Sequence, residues 1–128
     1  MIKITYALRR RAGLSSAEFH RYWRTEHAAL VRQHAETIGL RRYVQSHTIA
    51  TPIDEPLRAA RGSVEAEPFD GIAELYFDSV DALVASLSDT QVQAASAALV
   101  EDEHRFIDVA RSPIWISEEH VVLDVRET

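Results

Sequence analysis

From Ile2 to Leu8 the chain alternates, with Ile2, Ile4, Tyr6 and Leu8 set against Lys3, Thr5 and Ala7. That period of two predicts a strand with one wetter face. Gly13-Leu14-Ser15-Ser16 then supplies a turn and a hydroxyl cap. With Ser15 as N-cap, Glu18 falls three residues on, as a capping box requires. Phe19, Trp23, His27, Leu30 and Val31 recur at helical spacing until Gly39, a natural terminator, which predicts one amphipathic helix of about six turns. Leu40 to Ala50 is rich in β-branched and aromatic types and reads as a second strand. Phe69 to Asp78 reads as a third, with Gly71 near its start marking a bulge or a close backbone approach.

Ser79 to Val100 is helical in pattern, with a stripe of Val80, Leu83, Val84 and Leu87 and a break at Ser88-Asp89-Thr90. The break recaps a second segment through Val92, Ala95, Leu99 and Val100. The acidic run from Glu101 to Val109 extends it, with Phe106 and Ile107 docking the end. Past Pro113, Ile114 to Ile116 and Glu119 to Val125 provide one final strand or two, the best core at His120 to Leu123. The resulting order, β-α-β-β-α-β, is the α+β, ferredoxin-like plan, a four-stranded antiparallel sheet with both helices on one face. The uncovered face carries apolar and aromatic residues, a larger patch than a monomer normally exposes. A homodimer paired sheet to sheet is therefore expected.

Composition narrows the picture. A chain of 128 residues, 46% hydrophobic, is sized for one domain spanning 1–128 with its own core. The absence of cysteine removes disulfides, thiolate metal sites and cysteine nucleophiles. The net charge of −6 has both signs interspersed, which argues against a nucleic-acid partner. No apolar run approaches the ~20 residues of a membrane span or a signal-peptide core, so a soluble, cytoplasmic protein with no membrane partner is expected. Thr51 to Pro68 holds three of the four prolines and a short polar run, Leu57 to Arg61, suited to a single helical turn. A loop of that length is either a cover for a site or a tolerated insertion.

His27 leads the candidates for chemistry, because neutral imidazole accepts and donates protons near pH 7. The alternative is a core histidine satisfied by a structural partner. Trp23, one turn earlier, is a wall for a flat substrate or plain core, and Tyr6 on strand one is placed to approach His27. On the second strand Tyr43, Gln45 and His47 share one face and Arg42, Val44 and Ser46 the other, so Tyr43 and His47 enter a pocket or an interface. Strand three opposes Ile72, Glu74 and Tyr76 to Ala73, Leu75 and Phe77. Glu74, among apolar neighbours, requires a partner: an arginine such as Arg9 or Arg42, or a histidine that it orients. Asp70 caps a turn or joins the acid–base set. His20, His27 and His34 are seven apart, about 10 Å along a helix at each step, too far for one ion. No metal or nucleotide cofactor is read; haem on one axial histidine, or a flavin without a motif, would leave no spacing signature.

The blocks LRRRAGLSSAEFHRYWRTEHAALV, LRRYVQSH at Leu40 to His47 and FDGIAELYFDSVDAL at Phe69 to Leu83 resemble the EthD family of the dimeric α/β-barrel superfamily. That family is named for a small protein encoded beside an ether-degrading oxygenase. Similar fungal proteins tailor polyketides by decarboxylation or dehydration, and wider relatives include cofactor-free monooxygenases, isomerases, cyclases and haem enzymes. The resemblance implies a ferredoxin-like protomer, a homodimeric barrel and a pocket between helices and sheet. It covers Tyr22, Trp23, His27, Tyr43, Asp70, Gly71 and Glu74. Ala29, where many relatives have proline, and the Thr51 to Pro68 excursion depart from it.

Together these readings give a cofactor-independent lyase, isomerase or oxidoreductase acting on a modest aromatic or cyclic metabolite. His27, Tyr43, Glu74 and Asp70 are its expected catalytic residues, with Tyr6, Trp23 and His47 against the substrate. The alternative is a non-catalytic dimer that binds a metabolite and supports a partner oxygenase.

Overall fold

The computed structural model describes residues 1–126. Its strands are β1 (Ile2–Leu8), β2 (Arg42–His47), β3 (Gly71–Phe77) and β4 (Ile114–Glu118). They form one four-stranded antiparallel sheet in the order β2-β3-β1-β4. Helices α1 (Ser16–Tyr22) and α2 (Ala28–Ile38) follow β1, joined by a π-helical turn over Trp23–His27. The short α3 (Asp54–Ala59) lies in the long loop, and α4 (Val80–Ser86) and α5 (Thr90–Glu103) separate β3 from β4. This is the ferredoxin-like plan.

Local chemistry explains the boundaries. Ser15 Oγ accepts from the Glu18 amide at 3.1 Å while Glu18 Oε1 accepts from the Ser15 amide at 2.9 Å, completing the capping box. Gly39 ends α2 in the left-handed region at φ 77°. Asp89 caps α5 through the amides of Gln91 and Val92, so the break expected at Ser88-Asp89-Thr90 is a true change of helix. Two expectations change. The first helix is not one regular cylinder, because the π-turn carries Trp23 and His27 inward four residues apart and resets the buried stripe at Ala28 and Val31. The last strand is Ile114–Glu118, not His120 to Leu123. It runs against β1, opposing Ile114 to Tyr6 and Glu118 to Ile2, and where β1 begins the ladder has no further partner.

The pairing register settles which face each residue takes. Ile4, Tyr6 and Leu8 lie beside Leu75 and Ala73, and Tyr43 and Gln45 join them on the helix side. Tyr6, Leu8, Phe19, Trp23, Ala73, Phe106 and Ile107 form the buried core there. The opposite face carries Lys3, Thr5, Arg42, Val44, Glu74, Tyr76 and Trp115. On it Lys3 bonds Glu74 and, at 3.2 Å, Glu119, while the Tyr76 hydroxyl donates to Glu119 at 2.7 Å and Arg42 lies over the Tyr76 ring. Trp115 remains 46% exposed on this face.

Gly71 opens β3 where the Trp23 indole crosses the sheet. A Cβ there would strike Trp23 Cζ3 and lie 2.7 Å from Trp23 Cη2 and 2.8 Å from the Ser46 carbonyl oxygen. The close approach read from the sequence is real and leaves no room for a methyl group. Gly71→Ala is expected to destabilise the protein by about 1–3 kcal/mol through overpacking. An unchanged urea midpoint would show that the indole yields freely.

Candidate active site

The π-turn, β2 and α5 bring their polar groups to one place. His27 is 5% exposed, and its Nδ1 lies 2.7 Å from Asp102 Oδ2 on α5. The same carboxylate accepts from the Tyr22 hydroxyl at 2.5 Å, and Arg105 Nε stands 3.6 Å away. A carboxylate at Nδ1 holds the imidazole with its proton there and its lone pair on Nε2. Burial pushes the His27 pKa below its usual 6.5, against the upward pull of Asp102, so the ring is neutral at pH 7. Tyr22, desolvated and bonded to that carboxylate, is pushed up to about 12 and stays a donor.

Tyr43 is fixed by a chain of donors. Its oxygen accepts from Trp23 Nε1 at 3.2 Å and from Gln45 Nε2 at 3.0 Å. Both lone pairs are then engaged, which leaves the phenolic proton to donate elsewhere. Gln45 cannot turn over, because its amide nitrogen also donates to the Trp23 carbonyl at 2.8 Å, a group that only accepts. Gln45 Oε1 therefore faces His47 Nε2 at 2.8 Å, which must carry a proton. Neutral His47 accepts at Nδ1 from His20 Nδ1, 2.7 Å away. Burial lowers the pKa of both histidines, and each neutral ring suits its place in the chain.

His27 and Tyr43 both line a chamber of about 90 Å³ between helices and sheet, together with Tyr6, Trp23, Ile107 and Glu103. Glu103 is the unexpected member. Desolvation pushes its carboxyl up to about 7, and neighbouring Asp102 adds to the rise while the Tyr6 hydroxyl opposes it. Tyr6, buried beside it, is pushed up to about 12. The chamber thus holds a neutral imidazole, a phenol with an uncommitted proton and a carboxyl near half-protonation at neutral pH.

The expected residues separate into three groups. His27, Tyr43, Tyr6 and Trp23 meet at the chamber. His47 stands behind it, stacked on Trp23 at 4.3 Å and bonded to Gln45, and is not among the lining residues. Glu74 and Asp70 lie elsewhere: Glu74 faces the opposite side of the sheet, paired with Lys3 and not with Arg9 or Arg42. Asp70 accepts from the Arg10 amide at 2.8 Å and its guanidinium at 3.1 Å, closing the turn before β3. The carboxylate that orients His27 is Asp102. A signal for it was present: Glu101-Asp102-Glu103 ends α5, where the helix dipole disfavours negative charge. Acids placed there against the local field mark a use beyond surface solvation.

The sequence profile of the EthD domain matches residues 11–110, a span that includes the π-turn, Tyr43, Asp102 and Glu103. The chain belongs to the EthD family. Solved structures agree on the fold. An ethyl tert-butyl ether D (EthD) family protein of Bacillus halodurans C-125 is 18% identical with a TM-score of 0.58, covering 94% of this chain and 99% of that one. An EthD-like protein of Ralstonia eutropha JMP134 is 18% identical with a TM-score of 0.57, covering 96% and 93%. A dimeric protein of ferredoxin-like fold from Bacteroides fragilis is 10% identical with a TM-score of 0.56, covering 92% and 95%. Comparison with the curated proteins found no match. Among the described residues of this EthD chain, no helix is long and apolar enough to cross a membrane.

Proposed function

We propose that this EthD protein is an enzyme that transforms a small aromatic or cyclic carbonyl compound by proton transfer, with His27 Nε2 as the base. The observation that carries this reading is that His27, held at Nδ1 by Asp102, lines the same chamber as Tyr43, whose oxygen already accepts from Trp23 and Gln45. His27 would take a proton from carbon next to a carbonyl, and Asp102 would stabilise the imidazolium. Tyr43 would donate to the oxygen on which charge develops, inside a largely apolar chamber where such a bond is strongest. Glu103, protonated in part at neutral pH, would return a proton at a second position. Isomerisation follows if that position is carbon, and dehydration if it is a leaving hydroxyl. The oxidoreductase version uses dioxygen as co-substrate: the same carbanion is oxygenated, its CH₂ becoming C=O while the second oxygen atom leaves as water.

We also propose a homodimer paired through the open sheet face. Its support is the outer face, where Trp115 is 46% exposed and Val44 partly so, and the dimeric ferredoxin-like relative. The test is a thermal-shift panel of aromatic ketones, phenols and lactones, with and without carboxylates, on wild type and His27→Gln, followed by turnover of each stabilising compound. Turnover that falls about 10²–10⁴-fold in the variant is the expected result. Compounds that stabilise both proteins equally, with no turnover by either, would make the protein a binding accessory instead.

A further inference from the structure

The chamber beside His27 is too small to hold a whole substrate. At about 90 Å³ it falls well short of the ~300–1,000 Å³ typical of small-molecule sites. It does not stand alone. A second cavity of about 460 Å³ opens between α4, α5, the end of α2 and the sheet, and the two share Ile4, Leu75, Leu99, Glu103 and Ile114 as walls. The larger space is bounded mainly by hydrocarbon: Ile38, Leu83, Leu87, Val92, Phe77 and Ile116. No lysine or arginine lines either cavity among the described residues, and the one acid, Glu103, sits at their junction.

We infer that the ligand of this site is an uncharged amphiphile: a neutral carbonyl or phenol head beside His27 and Tyr43, carrying a hydrocarbon tail that fills the cavity under α4 and α5. The inference deepens the proton-transfer reading and rests on it for the position of the head. Two physical arguments fix the chemistry. A polar tail such as a sugar, phosphate or peptide would lose its hydration against leucine and valine with little in return, because the Ser86 hydroxyl and Gln93 amide in the wall already donate to the Leu83 and Leu87 carbonyls. A carboxylate head would enter a chamber whose walls hold no lysine or arginine, a histidine that burial keeps neutral at rest, and Glu103, so it would be desolvated and repelled. The head must therefore be neutral, and the substrate reaches the base as a ketone, enol or phenol and not as an acid.

The experiment is calorimetric titration of the full chain at pH 8 with 4-n-alkylphenols from methyl to heptyl, and with 4-n-alkylbenzoates of matching length. Affinity for the phenols is expected to rise up to about four-fold per methylene, the size of a buried CH₂ contribution, until the cavity is full. The benzoates are expected to bind at least ten-fold more weakly. Leu87→Asp and Ile116→Thr alter side chains that are 71% and 53% exposed, so folding should survive. Both should flatten the dependence on chain length while the methyl compound binds as before. Affinity independent of chain length, benzoates as tight as phenols, or a slope that both variants leave intact would each overturn the inference. So would a Leu87→Asp protein whose mass in solution drops to that of a monomer while wild type shows no slope, which would assign the cavity to a subunit contact. His27→Gln separates the two claims. A retained slope with lost turnover upholds both, and a retained slope in a wild type without turnover upholds the tail site while removing the catalytic role.

Discussion

Alanine in place of Asp102 is expected to cost about 2–4 kcal/mol of stability, and asparagine is expected to spare much of that yet remove proton transfer. Alanine strands two donors, the buried Nδ1–H of His27 and the Tyr22 hydroxyl, each worth about 1–3 kcal/mol when left without a partner. Asparagine still accepts from Tyr22 with its carbonyl oxygen. Its amide then turns a donor toward His27 Nδ1, so the ring carries its proton on Nε2, where the base should have a lone pair. Urea denaturation of the two variants, set beside their turnover of whichever compound the panel finds, separates support of the fold from support of the chemistry. A catalytically competent Asp102→Asn would show that the tautomer does not matter and that His27 is not the base.

Glu103→Gln is expected to stabilise the protein at pH 8 and to do little at pH 5. In the unfolded chain this carboxyl titrates near 4.5, whereas in the folded protein it is pushed up to about 7, chiefly by desolvation. The folded state therefore holds the proton more tightly. The associated stability is complete below about pH 4.5 and is lost as pH rises through 7. Above that, wild type keeps an anion in a poorly solvated place at a cost of up to about 3 kcal/mol, from the size of the shift. The amide has no such charge. His20, His27 and His47, all lowered by burial, pull the other way: their contribution is present above the usual 6.5 and is lost as pH falls through their folded values. They are common to both proteins and cancel in the difference. Denaturation at the two pH values reads the effect directly, and a gap between variant and wild type that does not widen with pH would mean that Glu103 is well solvated.

The fold was legible because its signals are local. Ser15 and Glu18, Gly39, Asp89 and the alternation of Ile2 to Leu8 act within a few residues and need no tertiary knowledge. The site was legible only where one element carried it. Trp23 and His27 announced themselves on a single helix, and the faces of β2 and β3 remained open until the register of β3 with β1 placed Glu74 outward and that of β2 with β3 placed Tyr43 inward. Asp102 and Glu103 went unread because they lie more than seventy residues beyond His27 on the chain, and nothing in periodicity says which helix crosses which. Glu74 misled for a related reason. A carboxylate amid apolar neighbours looks costly, but in a half-covered sheet its opposite face is open to Lys3 and water.

The two tryptophans sit on opposite sides of the same sheet, Trp23 1% exposed against the chamber wall and Trp115 46% exposed on the outer face. The protein thereby carries two built-in fluorophores with separate fields of view. With Trp115 replaced by phenylalanine, the remaining emission watches only the ligand side. With Trp23 retained and Trp115 restored, the added red-shifted component dims or shifts only when something covers the outer face. Occupancy and subunit association can thus be followed in one cuvette, unlabelled, as independent optical signals.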